Sequence, residues 1–97
     1  MEAHWDFLSD STEQTRVRYV TLVTPQLSRF DLAIVTTDRF YGKKLIIDLM
    51  RNVCAIVGPD DLANTPLIAR TYRLSEDEAE ELVLFLQDMI GPITYPE

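Results

Sequence analysis

Between residues 16 and 57 short apolar runs alternate with short polar breaks, and from residue 75 the apolar positions recur at helical spacing. The first run, RVRYVTLVT (16–24), is dense in Val, Tyr and Thr, which suit a pleated surface. Pro25 opens the break that follows, since proline donates nothing to a strand ladder. FDLAIVTT (30–37) sets Leu32 and Ile34 toward one face and Ala33 and Val35 toward the other. KKLIIDLM (43–50) groups Leu45, Ile47 and Leu49, leaving Ile46, Asp48 and Met50 opposite. VCAIV (53–57) is reached through Arg51 and Asn52 alone. Connections this short imply antiparallel hairpins, because a parallel return takes a dozen or more residues. The pattern predicts a four-stranded antiparallel meander.

GPDDLANTP (58–66) reads as loop, with room for one helical turn that Asp60 would cap. LIARTYRL (67–74) fits an extended segment or a short helix, and the extended form is the one expected. SEDEAEELVLFLQDMIGP (75–92) is the clearest element. Ser75 with Glu78 three residues on makes a capping box, and Glu76, Asp77 and Glu78 favour the positive end of the helix dipole. Ala79, Leu82, Val83, Leu86, Met89 and Ile90 form one stripe, and Gly91 with Pro92 ends the helix. Leu84 falls nearly opposite that stripe.

A helix of about 15 residues is roughly 22 Å long and covers one face of a four-stranded sheet. Strands two to four nevertheless carry apolar residues on both faces. The second face, in this parity, holds Ala33, Val35, Ile46, Met50, Cys54 and Ile56. Three things can cover it: an anchoring patch at Trp5, Phe7 and Leu8, the 62–74 segment, or another subunit. A homodimer is the simplest of these, with Val35, Ile46, Met50, Ile56 and Leu84 as contact candidates. The expected fold is α+β: an antiparallel sheet of about four strands with a C-terminal amphipathic helix packed on one face. Residues 1–97 are expected to form a single domain whose first 15 residues are a loosely ordered arm.

Composition sharpens this picture in one respect. Hydrophobic residues at 46% and charged residues at 26% are ordinary for a globular chain. The net charge of −7 is unevenly placed: all nine bases lie in 16–74 against five acids, leaving the middle at +4 and the two ends at −11. The overall sign argues against non-specific nucleic-acid binding, which rests on Lys and Arg neutralising phosphates, and leaves open a local basic face on the middle segment. The longest apolar runs, LVLFL and VCAIV, are five residues, far short of a bilayer span. No secretory signal is visible, so a cytoplasmic protein with no membrane partner is expected. Cys54, flanked by apolar neighbours, reads as a small buried hydrophobe.

The candidate chemistry concentrates in TTDRFYGKK (36–44). One account is a turn, with Asp38 bonding its own backbone and Gly42 at positive φ. The other is an anion or partner site, in which Arg39 with Lys43 or Lys44 meets a phosphate, a carboxylate or an acidic surface and Tyr41 stacks on a ring. One glycine and no GxxxxGK[ST] rule out a P-loop. Asp60 and Asp61 raise the question of a metal, but adjacent carboxylates in extended chain diverge and the EF-hand spacing is missing, so a capped turn is expected and no metal site. His4 is the one histidine and has no catalytic pairing in the pattern, so no catalytic residues and no cofactor are assigned. The EDEAEE run reads as a solvated helix start, or as a docking surface for a basic partner.

RFDLAIVTTDRFYGKKLIIDL, followed by AIVGPDDL and an acidic C-terminal helix, resembles a family of short uncharacterised cytosolic proteins of Gram-positive bacteria, a domain of unknown function. The resemblance spans nearly the whole chain and brings no activity with it. It implies a stand-alone bacterial cytosolic protein, and it makes Asp38, Arg39, Phe40, Tyr41, Gly42, Gly58, Pro59, Asp60 and Asp61 the first residues to test. The function expected is a non-enzymatic binding or regulatory module acting through protein contacts, as a homodimer or with another protein. The alternative is a binder of an anionic metabolite, or a minor enzyme, using the 38–44 loop.

Overall fold

The computed structural model describes residues 4–90. Four strands, β1 (Arg16–Val23), β2 (Arg29–Thr36), β3 (Lys44–Asp48) and β4 (Val53–Val57), pair antiparallel in chain order. Three helices follow: α1 (Pro59–Leu62), α2 (Thr65–Tyr72) and α3 (Glu76–Ile90). The protein is an α+β meander with its helices gathered on one side of the sheet. The helix stop expected at Gly91 and Pro92 lies outside the described residues.

Register decides which side chains meet the helices. Leu32 stands opposite Asp48, and Ile34 opposite Ile46, which in turn faces Ala55. On this side Phe30, Leu32, Ile46 and Asp48 are all at 0% exposure. Ala79, Leu82, Val83 and Leu86 of α3 close over them, at the spacing the sequence predicts. Each fully buried leucine or isoleucine contributes about 1.5–3 kcal/mol. The capping box is made as expected: Glu78 N donates to Ser75 Oγ at 3.2 Å, and Ser75 N donates to Glu78 Oε1 at 3.0 Å.

Two expectations are corrected here. Residues 67–74 are helical rather than extended through Tyr72. Asn64 Oδ1 accepts from Leu67 N at 3.2 Å, proline stands in the first turn, and Arg73 closes the helix in the left-handed region. Ile68 and Tyr72, four residues apart, enter the core, and the Tyr72 hydroxyl donates to Ile46 O at 2.8 Å. That removes the 62–74 segment as a cover for the second face. The second correction is β3's parity: Ile46 belongs to the helix-covered core and is no candidate for a dimer contact. Leu45 and Ile47 take its place on the outer face.

The reason lies at Asp48. Its charge suggests an outward side chain, yet its carboxylate is fully partnered inside. Oδ1 accepts from Met50 N and Arg51 N at 3.1 and 3.0 Å, and Oδ2 from Arg51 Nη1 at 3.0 Å. Arg51 also donates to Glu78 Oε2 at 3.2 Å and lies over the Phe30 ring at 5.2 Å. One aspartate therefore shapes the β3–β4 turn, and its arginine ties that turn to the start of α3.

Candidate functional site

Thr37 begins the 36–44 loop in extended conformation, and its Oγ1 accepts from Arg39 N at 3.2 Å, starting a 3-10 turn over Asp38–Phe40. The side chain that holds the turn is thus Thr37, where Asp38 was expected. Tyr41 is left-handed at φ 53°, Gly42 has φ 87°, and Lys43 N donates to Phe40 O at 3.0 Å.

The loop's bases are turned toward the protein. Arg39 Nη1 donates to Ser11 Oγ at 3.2 Å, and Lys44 Nζ to Thr36 Oγ1 at 3.0 Å. Thr37 Oγ1 donates to Glu13, so Ser11 and Glu13 fix the arm's C-terminal part to the loop. Lys43 Nζ lies 3.2 Å from Asp61 Oδ2 and 3.6 Å from Asp60 Oδ2. The hydrogen bond to Asp61 raises its pKa above the ordinary lysine value. Asp61 Oδ2 also accepts from Gly58 N at 2.8 Å, closing the first turn of α1. A methyl group on Gly58 would come within 2.8 Å of Lys43 Cγ. Gly58 itself has an ordinary extended φ of −122°, so its small size serves the lysine lying across it. The DRFYGK and GPDD blocks are therefore one structural unit, with Tyr41 projecting from it at 83% exposure. Asp38 and Asp60 are also exposed.

The other side of the sheet is different in kind. Val17, Val35, Leu45 and Ile56 align in one row across all four strands. Tyr19, Ala33, Ile47 and Cys54 align in the next. Neither row contains a charge. Tyr19 is 74% exposed, and Val17 and Ile56 remain exposed although each is flanked within its sheet. Cys54 lies on this second face as expected, opposite Ile47, but is exposed where a buried side chain was expected. Beside the second row, Tyr19 together with Thr21, Asp31, Leu49 and Met50 lines a depression of about 300 Å³. The face's charged residues, Arg29 and Asp31, pair with each other at 3.4 Å. Trp5, Phe7 and Leu8, expected to anchor the arm, are exposed instead, so they do not cover this surface.

Of the dimer candidates, Val35 and Ile56 lie in the first row, Met50 at its border, and Leu84 on the outer side of α3 at 65% exposure. Leu84 borders a groove of about 420 Å³ between α3 and the β1–β2 turn. There Glu81 accepts from Gln26 N at 3.2 Å. Val17, Tyr19, Leu45 and Ile47 escaped the sequence reading. For Leu45 and Ile47 the signal is the DLMRN turn, whose aspartate needs the inward position to reach two backbone N–H groups.

No helix among the described residues is long and apolar enough to cross a membrane. Residues 8–88 match the model of the SAV0927-like family, whose description names no activity. No curated protein matches the chain.

Proposed function

The chain belongs to the SAV0927-like family, and on that footing we propose that it is a small cytoplasmic bacterial binding module, without catalysis of its own, that works by presenting one face of its sheet to a protein surface. The observation that carries this reading is the pair of uncharged apolar rows on the sheet face away from the helices, where Val17, Tyr19, Cys54 and Ile56 stay exposed among the described residues while Ala33 is buried. Exposed apolar area of this extent favours burial at about 25 cal/mol per Å², and large exposed patches mark interaction sites.

The 38–44 loop as an anionic-metabolite site draws less support. Lys43 already meets two carboxylates, and a phosphate there would compete with Asp60 and Asp61. Arg39, Lys44 and Tyr41 remain its best components.

Affinity isolation of tagged protein after crosslinking in cells separates the two readings. Tyr19→Glu is expected to release the crosslinked protein, while Arg39→Ala with Lys43→Ala retains it. Release by the loop variant alone, or thermal stabilisation of the wild type by a phosphorylated metabolite that the loop variant lacks, would replace the face with the loop.

A further inference from the structure

We infer that the groove between α3 and the β1–β2 turn is a docking site for a basic amphipathic helix of another protein. It is a second binding surface, additional to the sheet face proposed above.

One line of side chains along α3 builds it. Glu81, Leu84, Phe85 and Asp88 follow one another at helical spacing and line the same side of the groove. Val23 at the end of β1 and Pro25 in the turn form the opposite wall. The other large apolar residues of α3 lie in the core or pack against it, whereas Leu84 is 65% exposed and Val23 61%. Folding therefore leaves Leu84 without a role, and the groove gives it one.

Charge selects the partner. Glu81 Oε2 accepts from Gln26 N, but Oε1 is buried and has no hydrogen-bond partner among the described residues. Asp88 is exposed and joins no ion pair among the described residues. A carboxylate oxygen withdrawn from water with no donor is unfavourable, and a guanidinium or ammonium seated beside it supplies the donor. Residues 91–97, GPITYPE, contain no base and do not supply one. The net charge of −7 also draws a basic segment toward the protein before contact.

Spacing selects its shape. Glu81 and Asp88 stand two turns apart, about 10 Å along α3, with Leu84 and Phe85 between them. A partner helix carries two bases at that separation on one face, seven residues apart, with apolar residues at the third and fourth positions between. An extended chain sets same-face residues about 7 or 14 Å apart, and neither distance matches. A lone small cation would leave Leu84 and Val23 uncovered.

The test uses a fluorescein-labelled helical peptide of about 18 residues with that Arg and Leu spacing, and Ala and Gln elsewhere. Fluorescence polarisation with the purified full chain at physiological salt is expected to show saturable binding. Glu81→Gln with Asp88→Asn is expected to weaken it at least tenfold, and Leu84→Ser at least fivefold. Glu81→Gln keeps an acceptor for Gln26 N, and Leu84→Ser changes an exposed side chain, so one variant carries the test if the other loses its fold. Asp6→Asn with Asp10→Asn removes the same charge from the exposed arm and is expected to change binding less than twofold. Moving the arginines to the opposite face of the peptide is expected to cost at least tenfold. Absence of saturable binding overturns the inference, as does an equal loss in the arm variant, which would mean general attraction to an acidic protein. Displacement of the peptide by an equal concentration of spermidine overturns it too, leaving a cation site without docking. A fall in the chain's light-scattering mass as the peptide binds would make a second copy the occupant and also overturn it.

Discussion

Asp48 and Tyr72 illustrate how single polar atoms hold this core. The Asp48 carboxylate takes three hydrogen bonds at 0% exposure, so its partners are left without an acceptor when it is removed. Asp48→Ala is expected to cost about 3 kcal/mol in urea unfolding, and Asp48→Asn distinctly less because the amide oxygen keeps the turn. Tyr72 is held protonated by burial, its pKa raised above the usual 10.0. A raised pKa stabilises the fold below the unfolded value and loses that contribution as pH rises beyond about 10. Tyr72→Phe should therefore cost about 1 kcal/mol at neutral pH and flatten the alkaline limb of the stability profile. Leu27 sits at φ 65° in the β1–β2 turn with its side chain 81% exposed. Leu27→Gly is expected to stabilise by about 1 kcal/mol, read as a higher urea midpoint at unchanged slope.

At the scale of elements, α3 was the most legible part of the chain. Its cap, its stripe and its acidic first turn are local signals, and each is realised. Glu78 accepts from Ser75 N and Arg51, which holds its pKa below the ordinary carboxylate value of 4.5. A depressed pKa stabilises above the unfolded value, so this contribution fades as pH falls below about 4.5. Glu78→Gln is expected to remove that part of the acid limb in a stability titration between pH 3 and 6. α2 was misread because Ile, Thr and Tyr suit a strand, while the deciding features, Asn64 and the following proline, are helix-start signals. The loop unit tests as a pair. Gly58→Ala should cost about 1–2 kcal/mol in wild type and clearly less in a Lys43→Ala background, because the added methyl group meets the lysine stem. Additive costs in that double-mutant cycle would mean that the two blocks do not hold each other.

For the whole molecule, strand order, antiparallel pairing and the position of the C-terminal helix follow from short connections and helical spacing along the sequence. Those are local constraints: a two-residue break cannot return a parallel strand, and a stripe at helical spacing must find a core. Tertiary structure alone decided the rest. The parity of β3 is a choice between two faces that look alike from within the strand, and it was settled by the bonds of Asp48 to Met50, Arg51 and, through Arg51, Glu78. The meeting of DRFYGK with GPDD required the chain to bring Lys43 across Gly58 onto Asp61. The open face appeared only when α2 joined α3 on the opposite side, because coverage is a property of how layers stack and no single strand carries it.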